Sequence, residues 1–183
     1  MAHVESGLRS FDETMPEELN RRLTDCISNL LFVSEPSGMR NLEREGIDMN
    51  RAHLVGDIML ETLQMFWPHV AQRKRSGHFG LKRGEFAVVT IHRPSNVDNP
   101  DSLQKVLNIL GSIPVPTIFP IHPRTLDKMK KFNLMEQVDK LEHVQFAPPE
   151  SYFDFLSLLS DAKLVLSDSG SIQIGRASCR ERV

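Results

Sequence analysis

The feature that most constrains this chain is an alternation running through almost its whole length. Short apolar runs, LLFVS (30–34), HLVG (53–56), FAVVTIH (86–92), PTIFPIH (116–122), VQFAP (144–148) and KLVLSD (163–168), are separated by segments with helical periodicity. Apolar residues on consecutive positions suit strands buried on both faces, the condition of a parallel sheet. DSLQKVLNILGSI places Leu103, Val106, Leu107 and Leu110 on one helical face, and FDFLSLLSDA does the same with Phe155, Leu158, Leu159 and Ala162. Alternation of this kind implies right-handed βαβ crossovers, so the expected fold class is α/β with doubly wound parallel sheets.

Start and stop signals place the helices. Thr14-Met15-Pro16-Glu17 reads as a Thr-x-x-Glu capping box with proline in the first turn, so a helix should run from there to about Ile27. Further helices are expected over 36–45, stopped by Gly46, over 58–74, and across PRTLDKMKKF. HRPSNVDNP reads as a long polar loop, and Pro120 is awkward for a central strand because it has no N–H to donate. The turn-rich SGHFGLKRG is the expected domain junction, with domains over 1–75 and 76–173. The opening residues read as a chain joined just after a strand. IGRASCRERV, 174–183, has no apolar period and reads as a non-native tail.

Composition narrows the class. Of 183 residues 40% are apolar, an ordinary globular balance, and 22 basic against 24 acidic residues leave a formal net charge of −2. That charge argues against nucleic acid and against an anionic membrane as partners. Cys26 and Cys179 are too few and too far apart for a disulfide scaffold, and no apolar run approaches the ~20 residues of a membrane-spanning helix. A reducing, cytoplasmic location is expected. Arg73-Lys74-Arg75 should be a solvated linker, and the Met-rich stretch 58–67 should be core.

In open parallel sheets, ligands bind outside the carboxyl ends of the strands. HVESGLR, HRPSN, HPRT and SDSGS all fall at such places, which points to one shared cleft. SDSGS offers hydroxyls and amides suited to phosphate. His92-Arg93 and His122-Pro123-Arg124 each set an imidazole beside a guanidinium, a pairing suited to diphosphate oxygens, although either histidine could equally be a satisfied strand-end residue. Glu17 is either a helix cap or a cleft acid, and it shares a helix face with Arg21; Glu18 and Arg22 repeat that pair one step round. His3, Glu5, His92, His122 and Asp168 lack the spacing of a metal motif, and no metal is expected.

HVESGLRS followed by MPEELNR, then VTIHRPSNVDNPDSL, then LSDSGSIQ, resemble in this order the signatures of the UDP-N-acetylglucosamine 2-epimerase family. The resemblance covers residues 2–173 and implies two Rossmann-like domains facing a cleft, as in B-type glycosyltransferases, both incomplete here. It implies interconversion of UDP-N-acetylglucosamine and UDP-N-acetylmannosamine, with no cofactor, by elimination of UDP to 2-acetamidoglucal and its re-addition. The family pattern places catalytic groups at Glu5, Glu17, Arg21 and His92. Its DSG turn falls on Asp168, Ser169 and Gly170, and substrate contacts are expected there and at His3, Arg9, Arg93, His122, Glu150, Phe155 and Ser171. The expected partners are the UDP-sugar and, at full length, a second copy in a homodimer.

The chain also departs from the pattern. Ser171 stands where the family's DSG turn usually continues with glycine, and Ile174-Gly175 stand where an acidic pair is expected. The first part of the N-terminal domain and the closing helices have no counterpart here, so the fragment alone should be inactive. A hydrolysing epimerase releasing N-acetylmannosamine and UDP shares the same site. A glycosyltransferase or a non-catalytic UDP-sugar-binding module shares the fold.

Overall fold

The structure, a computed structural model, describes residues 1–169. Gly170, Ser171 and the tail 174–183 lie outside the described residues. The chain divides into two compact units, Met1–Thr62 and the part from Leu63 onward.

The first unit runs β1 (Ala2–Ser6), α1 (Pro16–Ile27), β2 (Leu30–Val33), α2 (Pro36–Arg44), a 3-10 turn at Met49–Arg51 and β3 (Ala52–Leu54). Its three strands are all parallel, in the order β1-β2-β3. The opening residues themselves form a strand. Leu31, Val33 and Ala52 alternate along β2 and β3 on one face of the sheet, where Leu42 of α2 covers them. The end of β1 meets the start of α2 through two glycines. A Cβ on Gly7 would stand 2.4 Å from the carbonyl oxygen of Gly38, and one on Gly38 would stand 2.7 Å from Val33 Cγ1, so neither position admits a side chain without a shift.

The second unit takes up the later part of α3 (Ile58–Ala71), which supplies Leu63, Trp67 and Val70 to a core with Phe86, Val88 and Leu158. The compact units therefore divide within α3, whereas the sequence placed the junction at residue 75. After a 3-10 turn (Arg75–Phe79) come β4 (Ala87–Thr90), α4 (Pro94–Val97), α5 (Pro100–Ser112), β5 (Thr117–Pro120), α6 (Pro123–Lys131), α7 (Met135–Asp139), β6 (Val144–Ala147), α8 (Tyr152–Asp161) and β7 (Leu164–Ser167). The order is β6-β5-β4-β7, all parallel.

Alternate residues of β4 point to opposite cores. Ala87 and Val89 join Leu103, Leu107 and Leu110 of α5, while Val88 joins Leu158 and Leu159 of α8. Helices on both faces make this sheet doubly wound, and its connectivity reverses between β4 and β7. Pro120 fits because β4 pairs with β5 only as far as Val88 and Ile118, so no N–H toward β4 is required at the strand's last residue. HRPSNVDNP is not all loop: α4 forms within it, with Val97 fully buried in the core beneath.

Arg73 and Lys74 are exposed between α3 and the 3-10 turn, as a solvated linker should be, but the two arginines also make specific contacts. Arg73 bonds Asp154 at 2.9 Å and lies over the Phe153 ring, and Arg75 lies over Phe79 while holding both oxygens of Glu150 at 3.0 and 2.9 Å.

Candidate functional site

In the first unit the candidate residues gather on β1 and the connection to α1. Between Val4 and Ser6 the register against β2 slips by one, and Glu5 is the additional residue, with φ +63°. A left-handed backbone is costly for any side-chain-bearing residue and collects at functional positions, as do strand bulges, which re-aim a side chain. Glu5 is exposed at this bulge.

Two buried acids that the sequence reading did not select organise the connection that follows. Asp25 of α1 is fully buried and accepts from His3 Nδ1 at 2.6 Å, from Gly7 N at 3.1 Å and from Arg9 Nη2 at 2.7 Å. Glu18, only 3% exposed, accepts from Ser10 N and Oγ, both at 2.8 Å, and from Phe11 N at 3.3 Å. These bonds, the Ser10 amide foremost, hold the Glu18 carboxyl below the usual carboxylate range.

The capping box does not form. The helix begins at Pro16 with Met15 at the cap and no side-chain bond there, and Thr14 instead bonds Asp12. Glu17 is exposed, and Arg21 turns to Glu18 at 3.9 Å rather than to Glu17, with its side chain 40% exposed. Arg22 approaches Glu13 and Glu45, not Glu18. The physical reason is the same in each case: Glu18, not Glu17, faces the Ser10–Phe11 segment and is drawn in by its N–H groups.

Arg9, expected at the substrate, is enclosed by protein. Its side chain is 1% exposed, and its guanidinium bonds Glu45 twice, Asp25 and the Leu8 carbonyl. Glu45, then Asp25, raise its pKa against the opposing effect of burial. Asn41 completes the frame by donating to the Gly7 carbonyl at 2.9 Å.

In the second unit the carboxyl ends of β4 and β7 stand side by side, at the point where the sheet's connectivity reverses. There Asp168 Oδ2 accepts from the amides of His92 and Arg93 at 2.9 and 2.8 Å and from Asn96 Nδ2 at 3.0 Å. Burial pushes the Asp168 carboxyl up, but the Arg93 amide, Asn96 and the His92 amide outweigh it and bring it below the usual range. His92 Nδ1 lies 3.3 Å from Asp168 Oδ1, and that buried oxygen has no hydrogen bond. The His92 ring is half-exposed and its centroid lies 6.2 Å from that of His122.

His122 caps α6 by accepting from the Arg124 amide, which accounts for one ring nitrogen structurally. The Arg124 guanidinium is held by Asp98 and so does not stand free for a diphosphate. Arg93 is exposed, and Ser169 N donates to Ser167 Oγ at 2.9 Å in the turn after β7. Glu150, enclosed with Arg75, offers no free oxygen, and Phe155 is half-buried against the core. Among the described residues no three His, Cys, Asp or Glu side chains gather closely enough to hold a metal ion.

Parallel sheets with histidine, carboxylate and amide groups at their carboxyl ends define a Rossmann-like α/β protein. The sequence profile of UDP-N-acetylglucosamine 2-epimerase matches residues 1–176, and the chain belongs to that family. It is 37% identical over 182 residues to a UDP-N-acetylglucosamine 2-epimerase of Methanocaldococcus jannaschii, covering 94% of this chain and 49% of that protein. It is 38% identical over 178 residues to a UDP-2,3-diacetamido-2,3-dideoxy-D-glucuronate 2-epimerase of Pseudomonas aeruginosa, covering 94% of this chain and 48% of that protein. The crystal structure of the M. jannaschii enzyme in complex with UDP-GlcNAc and UDP superposes with a TM-score of 0.86 at 36% identity, over 97% of this chain and 51% of that one. The chain thus spans about half the length of the relatives it matches.

Proposed function

We propose that this sequence, joined to the part of the fold that its relatives carry and it does not span, interconverts UDP-N-acetylglucosamine and UDP-N-acetylmannosamine. The observation that carries the reading is Glu5, a carboxylate presented from a left-handed bulge at a strand end, in a chain whose relatives are 2-epimerases. A carboxylate takes the proton from C2 and the C1–O bond to UDP breaks, leaving 2-acetamidoglucal and UDP. A proton then returns to the opposite face of C2 while the UDP oxygen re-adds at C1. The chemistry needs two acids, for which Glu5 and Glu17 serve, and cationic or N–H groups for the departing diphosphate. Arg21, His92, Arg93 and the Asp168–Ser169 turn suit that second task.

The P. aeruginosa relative supports a second reading of the sugar, a more heavily substituted UDP-hexose at the same site. The homodimer belongs to the proposal as well, supported by the exposed stripe of Leu19, Leu23 and Ile27 along α1. A cytoplasmic location also belongs to it, supported by the exposed free thiol of Cys26, which suits a reducing compartment.

The test is a chimaera in which residues 1–169 replace the matching half of the M. jannaschii protein. Incubated with UDP-N-acetylglucosamine, it should form UDP-N-acetylmannosamine. Release of free N-acetylmannosamine instead would mean a hydrolysing enzyme, and UDP binding without any product would mean a binding module.

A further inference from the structure

The bonds made by Asp25 fall on either side of Glu5. His3 and Gly7 each lie two residues from it, and the buried carboxylate holds the first by its ring and the second by its amide. Between the two tethers β1 accommodates its additional residue with φ +63°. Such a conformation persists only where its surroundings over-determine it. The surroundings here are Asp25 from α1, and Gly38 and Asn41 of α2 pressed against Gly7. A tether serving only to dock α1 on β1 would need a single bond, with no requirement that its contacts bracket the bulge.

We propose that Asp25 is a positioning residue for Glu5: by gripping His3 and Gly7 it fixes the bulge that presents the Glu5 carboxylate for proton transfer. The proposal rests on the reading of Glu5 as a proton-transfer group, and the experiment separates the two.

The first measurement is nuclear magnetic resonance of the 183-residue chain. A residue with positive φ has a short amide-to-Hα distance, so Glu5 should give a strong intraresidue cross-peak in the unmodified protein. In Asp25→Asn that peak should fall to the intensity of an ordinary strand residue, while the resonances of the β4 and β5 core stay in place. A folded Asp25→Asn protein with the Glu5 peak unchanged overturns the proposal. If Asp25→Asn does not fold, His3→Gln removes one tether alone and should weaken the same peak in part; an unchanged peak again overturns the proposal.

The second measurement uses the chimaera. Asp25→Asn should lower kcat by about 10²-fold, the cost of misplacing a reacting group by about an ångström, with KM little changed. A rise in KM at unchanged kcat overturns the positioning role. If Glu5→Gln leaves turnover intact while Asp25→Asn still alters the Glu5 peak, Asp25 does position Glu5, and the assignment of Glu5 to proton transfer is the part that falls.

Discussion

The two units bury their sheets differently. In the second unit each central strand is sealed on both faces, with Phe86 and Ile118 in one core and Phe119 and Val89 in the other. In the first unit one face carries the small core around Leu31 and Leu42, while on the other Val4 and Leu30 remain 49% and 44% exposed. The first unit instead concentrates buried charge, in Asp25, Glu18 and Arg9, and the strained backbone of Glu5. Buried ion pairs are poor sources of net stability but fix geometry well where every member is bonded. Among the described residues, then, the second unit carries the larger apolar core, and the first carries the buried charges and the left-handed Glu5.

The largest effect on stability should come from the second unit's core. Phe119→Ala should destabilise by about 3–5 kcal/mol through lost burial and the cavity left behind, read by urea denaturation. Val4→Ala on the open face of the first unit should stay within about 0.5 kcal/mol. A Val4 effect approaching that of Phe119 would break the contrast between the units.

Next in size is Glu18→Gln, which keeps the shape and removes the charge that holds Ser10 and Phe11. The loss should be about 1–3 kcal/mol near neutral pH. The sign with pH follows from the depressed carboxyl: its contribution is complete above the unfolded pKa of about 4.3 and is lost as pH falls through the lower folded value. Melting curves of Glu18→Gln and the unmodified chain should accordingly converge as pH falls through that lowered folded value. A gap that widens in acid would contradict the assigned role.

The smallest effect has the opposite sign. Glu5→Gly relieves the left-handed strain and should raise stability by about 1 kcal/mol, while removing the carboxylate. Stabilisation joined to lost activity is the expected mark of a functional residue held under strain. A destabilised Glu5→Gly protein would mean that Glu5 makes a contact worth more than its strain.

Much of this architecture was legible in the sequence, because apolar runs and helical periodicity reflect burial directly. The helix beginning at Pro16 and ending at Ile27, the strand around Val88 and the face of Leu103, Val106, Leu107 and Leu110 follow from local pattern alone. The short helices α4 and α7 escaped because neither spans enough turns to show a period.

The site was less legible, for a different reason. Glu17 and Glu18 are adjacent carboxylates, and spacing cannot say which one faces Ser10. Asp25 is an unremarked acid within a helix, and its partners His3, Gly7 and Arg9 lie 22, 18 and 16 residues away in sequence. The bulge at Glu5 is a property of pairing with β2 and leaves no compositional trace. The neighbourhood of His92 and Asp168 depends on β7 inserting beside β4, a matter of strand order.

The most direct measurement of the proposed chemistry is deuterium at C2. The chimaera, incubated with UDP-N-acetylglucosamine in D2O, should incorporate solvent deuterium at that carbon. Glu17→Gln should slow incorporation by about 10²–10⁴-fold, the usual cost of losing a general acid or base, while UDP still binds and the melting temperature holds. Deuterium incorporation at the unmodified rate by Glu17→Gln would contradict the role given to this acid, and incorporation by the 183-residue chain alone would contradict the expectation that the reaction needs the part of the fold its relatives carry and this chain does not span.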